Sequence, residues 1–308
     1  MNNSSAIFLY ISIFKPEGKL KMIVDKLYKY VSERGHVCVG LDTDYTYLPE
    51  SFTRKYNSKG EAIYNFNKEI INATSDVAAC YKVQIAYYEA YGLEGLKAYS
   101  DTLKYIKEKD CISIADIKRG DIQKTAEMYA LGHFTGDFEA DFITINPYMG
   151  INDSIEPFIK YVQHNEKGIF ALVRTSNSGA RDFQYVVDKN NNPLYEIVGE
   201  KLEELAKNNI GSCGFSSVGA VVGCTNNEEG KALRNKIKSM FLLIPGYGAQ
   251  GGTAQDIATY LVEGNGAVVN SSRGILLAYK KEINGEENFA VCARKEVIRM
   301  RDDIRSFA

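Results

Sequence analysis

The stretch ISIADIKRGD (112–121) carries the most information about the fold of this chain. Its side chains alternate, so that four of them point to one side of an extended strand: Ile112, Ile114, Asp116 and Lys118. That side begins apolar and ends with an acid followed by a base. Such a strand fits the filled interior of a β/α barrel, whose chemistry lies at the carboxyl ends of its strands.

Seven further short runs of β-branched or apolar residues alternate along the chain with segments of helical periodicity. The predicted strands are 36–42, 77–84, 111–117, 141–146, 168–174, 217–222, 240–244 and 266–270. The predicted helices are 61–75, 93–109, 122–132, 151–163, 195–208, 227–238, 253–263 and 287–304. Eight strand–helix units predict an α/β chain that folds as a single-domain (β/α)8 TIM barrel, and a doubly wound open sheet stays as the alternative.

The barrel is expected to occupy residues 22–308. An amphipathic segment starts right after Met22 and leads into the first predicted strand. Residues 1–21 precede this segment and are predicted to form an N-terminal extension outside the fold. We therefore expect one catalytic domain.

The 308 residues include 37 Lys and Arg against 39 Asp and Glu, which leaves a net charge of −2. This balance argues against a general electrostatic attraction to nucleic acid or to an anionic membrane. No apolar run has the length needed to span a bilayer. The six cysteines show no paired short spacing, which favours reduced thiols over disulfides or a zinc site. We expect a cytoplasmic protein that binds neither nucleic acid nor membrane.

Polar side chains gather where the predicted strands end. The first strand ends at Asp42, and the second contains Lys82 near its end. Because the carboxyl ends of barrel strands meet on one face, an array of alternating charges is predicted there, formed by Lys82, Asp116, Lys118 and Asp121.

Two simpler interpretations of these residues stay open. Asp116 and Lys118 can form a solvated ion pair that contributes little to stability. Asp121 can be the N-cap of a helix that starts at Ile122. Neither interpretation accounts for Lys82.

The glycine cluster GYGAQGGT (246–253) lies between the seventh strand and a helix. In barrels, the loops after strands seven and eight commonly bind phosphate through backbone N–H groups. Arg273 follows the eighth strand and offers a planar guanidinium to a phosphate dianion, and Gln250 can donate its side-chain amide. The cluster therefore favours a phosphate site. The alternatives are a dinucleotide fingerprint, whose glycine spacing it also matches, and a plain tight turn.

The three histidines are isolated, and none stands at the carboxyl end of a predicted strand. The sequence also lacks the P-loop, the H-E-x-x-H motif and the serine-hydrolase elbow. Reactions that depend on a histidine base or a histidine-bound metal are therefore disfavoured. Lysines and aspartates are the remaining candidates.

With these residues in place, the chain resembles the orotidine 5′-phosphate decarboxylase family in its longer variant. The matching segments, in the family's order, are VGLD (39–42), YKVQIAYYE (81–89), the D-x-K-x-x-D-I-x-x-x-T run from Asp116 to Thr125, INPYMG (145–150), LVRTSNSGARDFQ (172–184), PGYGAQGG (245–252) and NSSRGI (270–275). They cover Val39 to about Tyr279. The D-x-K-x-x-D run alone is shared with gulonate-phosphate decarboxylases and hexulose-phosphate synthases, whereas the full set is far more specific.

The resemblance implies a homodimer that converts orotidine 5′-monophosphate to UMP and CO2, the last step of de novo pyrimidine nucleotide synthesis, without cofactor or metal. By motif position, Lys118 would be the general acid that protonates C6 as CO2 leaves. Asp116 would lie against the substrate carboxylate as a like charge. Lys82 and Asp42 would contact the ribose hydroxyls.

The same resemblance implies roles for the other matched residues. Asp121 and Thr125 would reach across the dimer into the partner's site. Gln250 and Arg273 would hold the phosphate. The residues implied to meet the pyrimidine are Thr175, Ser176 and Pro245, with Ser178 close enough to compete for the hydroxyl contact.

Three rival functions stay open. A related barrel that acts on a sugar phosphate with Mg²⁺ needs an additional acid ligand, and the second strand ends in Gln84 instead. A phosphosugar-binding protein would keep Arg273 and Gln250 but would have no use for Lys118. A nicotinamide oxidoreductase would use the glycine cluster to bind its cofactor.

Overall fold

Eight parallel strands close into a barrel in the computed structural model of the chain, which describes residues 22–164, 166–224, 227–248 and 251–308. β8 pairs with β1, so the TIM-barrel prediction is confirmed over the open sheet. The strands are β1 (Val37–Gly40), β2 (Cys80–Gln84), β3 (Ser113–Arg119), β4 (Phe142–Ile145), β5 (Gly168–Arg174), β6 (Ser216–Val222), β7 (Met240–Pro245) and β8 (Ala267–Ser271). Each strand overlaps its predicted run.

Helices follow the strands and surround the barrel. They are α1 (Ile23–Arg34), α2 (Glu50–Thr53), α3 (Lys59–Thr74), α4 (Ala86–Glu89), α5 (Gly92–Glu108), α6 (Gln123–Phe134), α7 (Glu156–His164), α8 (Leu194–Ala206), α9 (Asn227–Lys236), α10 (Ala254–Ala258), α11 (Arg273–Leu276) and α12 (Phe289–Arg305). The helix predicted over 253–263 is shorter than expected and ends at Ala258. Just beyond this end, Tyr260 is fully buried, and its hydroxyl accepts a hydrogen bond from Arg174 (2.9 Å).

The alternation of β3 separates two hydrophobic layers. Ile112 and Ile114 pack inside the barrel, whereas Ala115 and Ile117 pack outside against the helices. Burying an aliphatic or aromatic side chain stabilises a fold by about 1.5–3 kcal/mol. Aromatic rings fill much of the interior, among them Phe142, Phe170 and Phe241. The interior is a packed core, and the charged groups lie above it.

Helix α1 closes the amino-terminal end of the barrel. Its apolar residues recur with helical spacing and pack in one cluster with the inner side chains of the strands. The Asp25 carboxylate accepts a hydrogen bond from the N–H of Cys213 (2.8 Å), which fastens the helix to the loop before β6. The buried residues of α1 are Ile23, Val24, Leu27, Tyr30 and Val31.

Strands β3 and β4 leave regular register where the charged residues begin. Ala115 pairs with Ile143 and Arg119 pairs with Ile145, so β3 advances by four residues over a stretch in which β4 advances by two. The additional residues form a bulge that includes Lys118, whose φ is +45°. A residue other than glycine in this left-handed region costs about 1–3 kcal/mol and persists only when its surroundings hold it.

The extension predicted over residues 1–21 lies outside the described residues. The strands of the barrel run from Val37 to Ser271, and the helix that closes its floor begins at Ile23. Over the ranges that the structure describes, no helix combines the length and the apolar character needed to cross a membrane.

Leu27→Ala is expected to lower the free energy of unfolding by about 2–5 kcal/mol, because this fully buried side chain would leave a cavity beneath the barrel. Lys29→Ala, on the exposed side of α1, should change it by less than about 0.5 kcal/mol. Urea denaturation followed by circular dichroism measures both. A chain that begins at Met22 should show the same midpoint as the full chain, and a lower midpoint would refute the assignment of residues 1–21 to an extension.

Candidate active site

Oppositely charged side chains meet at the carboxyl ends of β1, β2 and β3. The parallel register places Gly40 of β1 beside Lys82 of β2, so residues just beyond β1 lie next to the end of β2. The alternation of β3 then brings its last inward-facing residues to the same rim. The side chains that meet there are Asp42, Lys82, Asp116 and Lys118.

These four groups form a chain of ion pairs with alternating sign. The Lys82 ammonium lies 2.8 Å from Asp42 Oδ1 and 3.0 Å from Asp116 Oδ2. The Lys118 ammonium lies 2.5 Å from Asp116 Oδ1. The side chains of Lys82 and Asp116 are only 6% and 8% exposed, whereas that of Lys118 is 46% exposed. Lys118 is therefore the cation that an incoming molecule can reach.

Both oxygens of the Asp116 carboxylate are occupied by donors. Oδ1 accepts hydrogen bonds from Lys118 and from the Thr144 hydroxyl (2.9 Å). Oδ2 faces Lys82 and accepts a hydrogen bond from the Gln84 side-chain amide (2.9 Å). Four donors stabilise the ionised form, so Asp116 is a fixed negative charge and not a group that exchanges protons.

The pKa values of the buried pair follow from this geometry. Burial alone would raise the pKa of Asp116, but the positive charges of Lys82 and Lys118 and their hydrogen bonds outweigh it and hold the pKa well below its usual range. Burial alone would lower the pKa of Lys82, but Asp116 and Asp42 outweigh it and raise the pKa. Both groups are therefore ionised at neutral pH.

Asp42 is also held by a residue that follows β8, the strand that pairs with β1 and closes the barrel. The Ser272 hydroxyl, just beyond β8, donates a hydrogen bond to Asp42 Oδ2 (2.8 Å). Gly40 makes this approach possible, because a Cβ atom at that position would lie 1.9 Å from Ser272 Oγ. Any residue larger than glycine would displace the serine and leave the carboxylate without this donor.

A buried polar network supports the backbone around Asp42. The Thr43 hydroxyl donates to Asn67 (2.7 Å), and the Asn67 amide donates to the Tyr88 hydroxyl (2.8 Å). The Tyr88 hydroxyl donates to the carbonyl of Leu41 (3.1 Å). Burial is the largest of the effects that raise the pKa of Tyr88, so its hydroxyl stays a donor. The network therefore fixes the backbone on both sides of Asp42.

Asp121 is not part of the ion-pair chain within this subunit. Its carboxylate accepts a hydrogen bond from the N–H of Ile122 (2.8 Å). The alternative of an N-cap is wrong, because α6 starts at Gln123 and its N-cap is Ile122, with no side-chain cap. Thr125 lies in the first turn of α6 and is exposed. Both residues are thus on the surface beside the site.

Exposed apolar side chains occur at the start of α5, around α6 and after β4. Six large hydrophobic side chains are exposed in α5, in α6 and its N-cap, and in the loop after β4. They are Leu93, Ile122, Met128, Leu131, Tyr148 and Met149. Exposed apolar surface of this kind is typical of protein–protein interfaces.

The loop after β5 carries the predicted pyrimidine contacts. Thr175 and Ser176 follow the last residue of β5 and are half-buried, and Ser178 is exposed. The Thr175 hydroxyl donates to Asn177 (2.6 Å) and accepts from the Gln184 amide (2.7 Å). These bonds link the start of the loop, at Thr175, to Gln184 farther along it.

Arg174 anchors this loop to the barrel. It is 1% exposed, and its guanidinium donates to Glu229 (3.0 Å) and to the carbonyl of Gly223 (2.7 Å). The Tyr185 hydroxyl, farther along the loop, donates to the same Glu229 carboxylate (2.7 Å). A buried, multiply bonded arginine is costly to displace, so the start of the loop is held firmly.

The predicted phosphate side lies at the ends of β7 and β8. Pro245 ends β7 beside Asn270 of β8. Gly248 has a φ of +70°, a conformation that glycine adopts without strain. Gln250 lies outside the described residues. Arg273 is the first residue of α11 and is exposed toward solvent.

Tyr247 ties the glycine loop to the C-terminal helix. Its hydroxyl donates to the Asp303 carboxylate in α12. Burial and the neighbouring Asp303 raise the pKa of Tyr247 to about 12, so the phenol remains a donor. The loop after β7 is therefore positioned by the last helix of the chain.

Among the described contacts, none of the three histidines bonds to these charged side chains. His36 precedes β1 at the closed end of the barrel, and His164 ends α7. Burial, aided by Arg119, lowers the pKa of His133 to about 4, so this ring is neutral. Among the residues described, no three His, Cys, Asp or Glu side chains are grouped so that they could hold a metal ion.

Three residues of the site were not predicted as site residues: Gln84, Thr144 and Ser272. Gln84 and Ser272 were recognisable only as polar residues at strand ends. Thr144 had a clearer signal, because it is the single hydroxyl on the inward-facing side of an otherwise apolar strand. What each side chain contacts depends on the register between strands, which one sequence does not contain.

Comparison with known proteins gives a consistent result. Residues 35–287 match the orotidine 5′-phosphate decarboxylase / HUMPS family. A Clostridium acetobutylicum protein named orotidine 5′-phosphate decarboxylase is 63% identical over 284 residues, 92% of this chain and 99% of that protein. The Clostridium kluyveri protein of the same name is 60% identical over 283 residues, 92% of this chain and 97% of that protein. The solved structure of Leishmania donovani OMP decarboxylase is similar with a TM-score of 0.73 at 28% identity, covering 93% of this chain and 98% of that one.

Lys82→Met is expected to lower the free energy of unfolding by about 3–5 kcal/mol at pH 8, because it leaves two carboxylates near the core short of a cation. In the wild type, the lowered pKa of Asp116 contributes stability at pH values above 3.8, the ordinary pKa of this group. This contribution is lost as the pH falls below 3.8 toward the lowered pKa. Without Lys82, the pKa of Asp116 rises, so the carboxylate can take up a proton at low pH. The loss of unfolding free energy in the variant should therefore shrink as the pH is lowered toward this raised pKa.

Urea denaturation at several pH values measures this effect. The double variant Lys82→Met/Asp116→Asn serves as the control, since it lacks the buried negative charge and should show no such pH dependence. An equal loss at every pH in the single variant would show that Lys82 does not compensate Asp116.

Proposed function

The chain belongs to the orotidine 5′-phosphate decarboxylase / HUMPS family, and we propose that it is the carboxy-lyase that converts orotidine 5′-monophosphate to UMP and CO2, the last step of de novo pyrimidine nucleotide synthesis. Identity of about 60% over nearly the whole length of proteins with that name supports the substrate. The observation that carries the chemistry is the half-exposed Lys118 ammonium, bonded at 2.5 Å to the buried Asp116 carboxylate. The reaction needs neither metal nor organic cofactor.

The proposed reaction needs only a proton and a place for developing charge. The bond between C6 and the carboxylate carbon breaks, CO2 leaves, and the electron pair of that bond remains on C6. The Lys118 ammonium donates a proton to C6, which completes UMP and leaves a neutral amine. Water then returns a proton to Lys118, which its 46% exposure allows. A positioned general acid of this kind contributes about 10²–10⁴-fold to the rate.

The fixed charges of the site favour the transition state over the ground state. The ionised Asp116 lies against the substrate carboxylate, and this repulsion is relieved as neutral CO2 departs. At the same time, negative charge moves to C6, next to the Lys118 ammonium. Asp116 also holds the ammonium in place by the bond between them. Because both groups are positioned before substrate arrives, little reorganisation is needed during the reaction.

The remaining contacts of the proposed complex hold the ends of the nucleotide. Asp42 and Lys82 lie at the rim where the ribose hydroxyls would bind. Arg273 and Gln250 would bind the phosphate, and loop closure over it would exclude water from C6. The side chains proposed to meet the pyrimidine are Thr175, Ser176 and Pro245. The first two directly follow β5, and Pro245 ends β7, so all three lie at the carboxyl-terminal rim of the barrel.

The proposed enzyme is a homodimer with composite sites. Asp121 and Thr125 would enter the partner's site from the start of α6. Thr125 is exposed, Asp121 is half-buried, and neither belongs to the ion-pair chain within one subunit, which supports this role. The exposed apolar side chains of α5, α6 and the loop after β4 would supply area for a two-fold interface, in which the same surface is used by both subunits. The proposed location is the cytoplasm, and the six free cysteines suit a reducing compartment.

Purified protein should remove the ultraviolet absorbance of orotidine 5′-monophosphate without added metal and equally in EDTA. Lys118→Ala should lower kcat by at least about 10⁴-fold, because it removes both the proton donor and the cation at C6. UMP binding, measured by calorimetry, should remain, since the phosphate contacts are unchanged. Lys104→Ala, in an exposed ion pair on α5, is the matched control and should keep wild-type turnover.

Two outcomes would contradict this function. Activity that is lost in EDTA and restored by Mg²⁺ would favour a metal-dependent enzyme acting on a sugar phosphate. Wild-type turnover in Lys118→Ala would refute the mechanism.

Mixing two inactive variants tests the composite site. Lys118→Ala and Asp121→Ala should each be inactive, but a dimer with one subunit of each has one site with both residues intact. Random exchange of subunits makes half of the dimers mixed, so activity should recover to about a quarter of the wild-type value. The assay is turnover after denaturation and joint refolding of equal amounts. No recovery, with dimers present by light scattering, would place Asp121 in the site of its own subunit.

A further inference from the structure

Thr144 makes contacts that no other residue of the site makes. It lies in β4, points into the barrel and is 1% exposed, so no substrate can touch it. Its hydroxyl oxygen lies 2.9 Å from the backbone nitrogens of both Ile117 and Lys118. It also lies 2.9 Å from Asp116 Oδ1. One buried hydroxyl thus contacts three consecutive residues of β3.

The direction of these hydrogen bonds is determined by chemistry. A hydroxyl has one proton and two lone pairs. The N–H groups of Ile117 and Lys118 can only donate, so they take the two lone pairs. The proton of Thr144 must then point to Asp116 Oδ1, and this oxygen accepts it only if it carries no proton itself. The ionised Asp116 carboxylate meets this condition, so all three hydrogen bonds of the Thr144 hydroxyl are satisfied.

The same hydroxyl accounts for the bulge in β3. In a regular parallel ladder, backbone carbonyls of β4 would accept the N–H groups of the facing strand. The register shifts between Ala115 and Arg119. The N–H groups of Ile117 and Lys118 therefore donate to the Thr144 hydroxyl and not to a backbone carbonyl of β4. Without it, two buried donors would lack this acceptor, and the left-handed φ of +45° at Lys118 would lose its support.

We infer that Thr144 is a positioning residue for the decarboxylation, which sets the backbone turn of Lys118 and the orientation of the Asp116 carboxylate. The inference rests on the proposed function, because it assigns Thr144 a role through Lys118 and Asp116. The Gln84 amide helps to orient Asp116 through Oδ2, but among the described contacts it makes none with the backbone of Lys118. Among the described residues, Thr144 alone contacts both the Asp116 carboxylate and the backbone N–H of Lys118.

Loss of this hydroxyl should affect the chemical step more than binding. A displacement of about 1 Å between a general acid and the atom that it protonates can lower a rate by about 10²-fold. The phosphate contacts proposed for Arg273 come from the opposite part of the rim and do not depend on β3 or β4. The change should therefore appear in kcat and not in KM.

Thr144→Val keeps the shape of the side chain and removes the three hydrogen bonds. We expect kcat for orotidine 5′-monophosphate to fall about 100-fold, with KM and the Kd for UMP within about threefold of the wild type. Thr144→Ser restores the hydroxyl and should return kcat to within about fivefold of the wild type. Steady-state kinetics and calorimetry with UMP give these values.

Thr74→Val is the matched control. Thr74 is also a fully buried threonine, and its hydroxyl bonds to the carbonyl of Ile70 (2.7 Å) and to the Tyr81 hydroxyl (2.7 Å), behind β2. Its replacement should destabilise the protein in the same manner and leave kcat unchanged. A fall in kcat in this control as large as that in Thr144→Val would show that any buried hydroxyl has the same effect, and would overturn the inference.

The outcomes separate this inference from the proposed function. Turnover within twofold of the wild type in Thr144→Val, or a rise in KM at constant kcat, overturns the positioning role but leaves the decarboxylase standing. Failure of Thr144→Ser to restore kcat overturns it as well. No turnover by the wild type refutes the proposed function itself. If Thr144→Val does not fold, Thr144→Cys replaces it, because a thiol is a poor acceptor of similar size and should show the same loss of kcat.

Discussion

The carboxylate of Asp116 is the constraint on which the active end of the barrel depends. A buried negative charge is tolerated only when cations and hydrogen bonds replace the water that it has lost. Here two ammonium groups and two neutral donors surround both oxygens. Because these donors come from β2, β3 and β4, the charge determines how three neighbouring strands end. The pKa of Asp116 stays low for the same reason, so the carboxylate is ionised at neutral pH.

The two lysines bonded to this carboxylate have different roles because their exposure differs. Lys82 is buried between two carboxylates and compensates charge. Lys118 reaches the rim, is bonded to one carboxylate, and retains exposed surface from which it can give a proton. The opposite end of the barrel has no such requirement, and there apolar residues of α1 close the core. The floor thus contributes apolar burial, whereas the rim holds charged groups whose desolvation is costly and which the proposed reaction uses.

Much of this arrangement could be predicted from the sequence, because its periodicity is local. The alternation in ISIADIKRGD predicted an apolar interior that ends in Asp116 and Lys118, and the structure places both residues there. The predicted array of alternating charges was right for Lys82, Asp116 and Lys118, but Asp42 and not Asp121 is its fourth member within one subunit. The parts that could not be predicted all depend on contacts between strands. Ser272 and Asp42 are 230 residues apart in the chain and meet only because β8 closes onto β1.

The sequence by itself determined the eight strand–helix units, the polarity at the strand ends and the family to which the chain belongs, because these follow from residue types at short spacings. Only the tertiary structure decided which of the polar groups touch. Register and barrel closure are properties of the whole sheet, set by the packing of all eight strands. They placed Thr144 opposite a bulge, gave Lys118 a left-handed backbone, and surrounded one carboxylate with four donors from three strands.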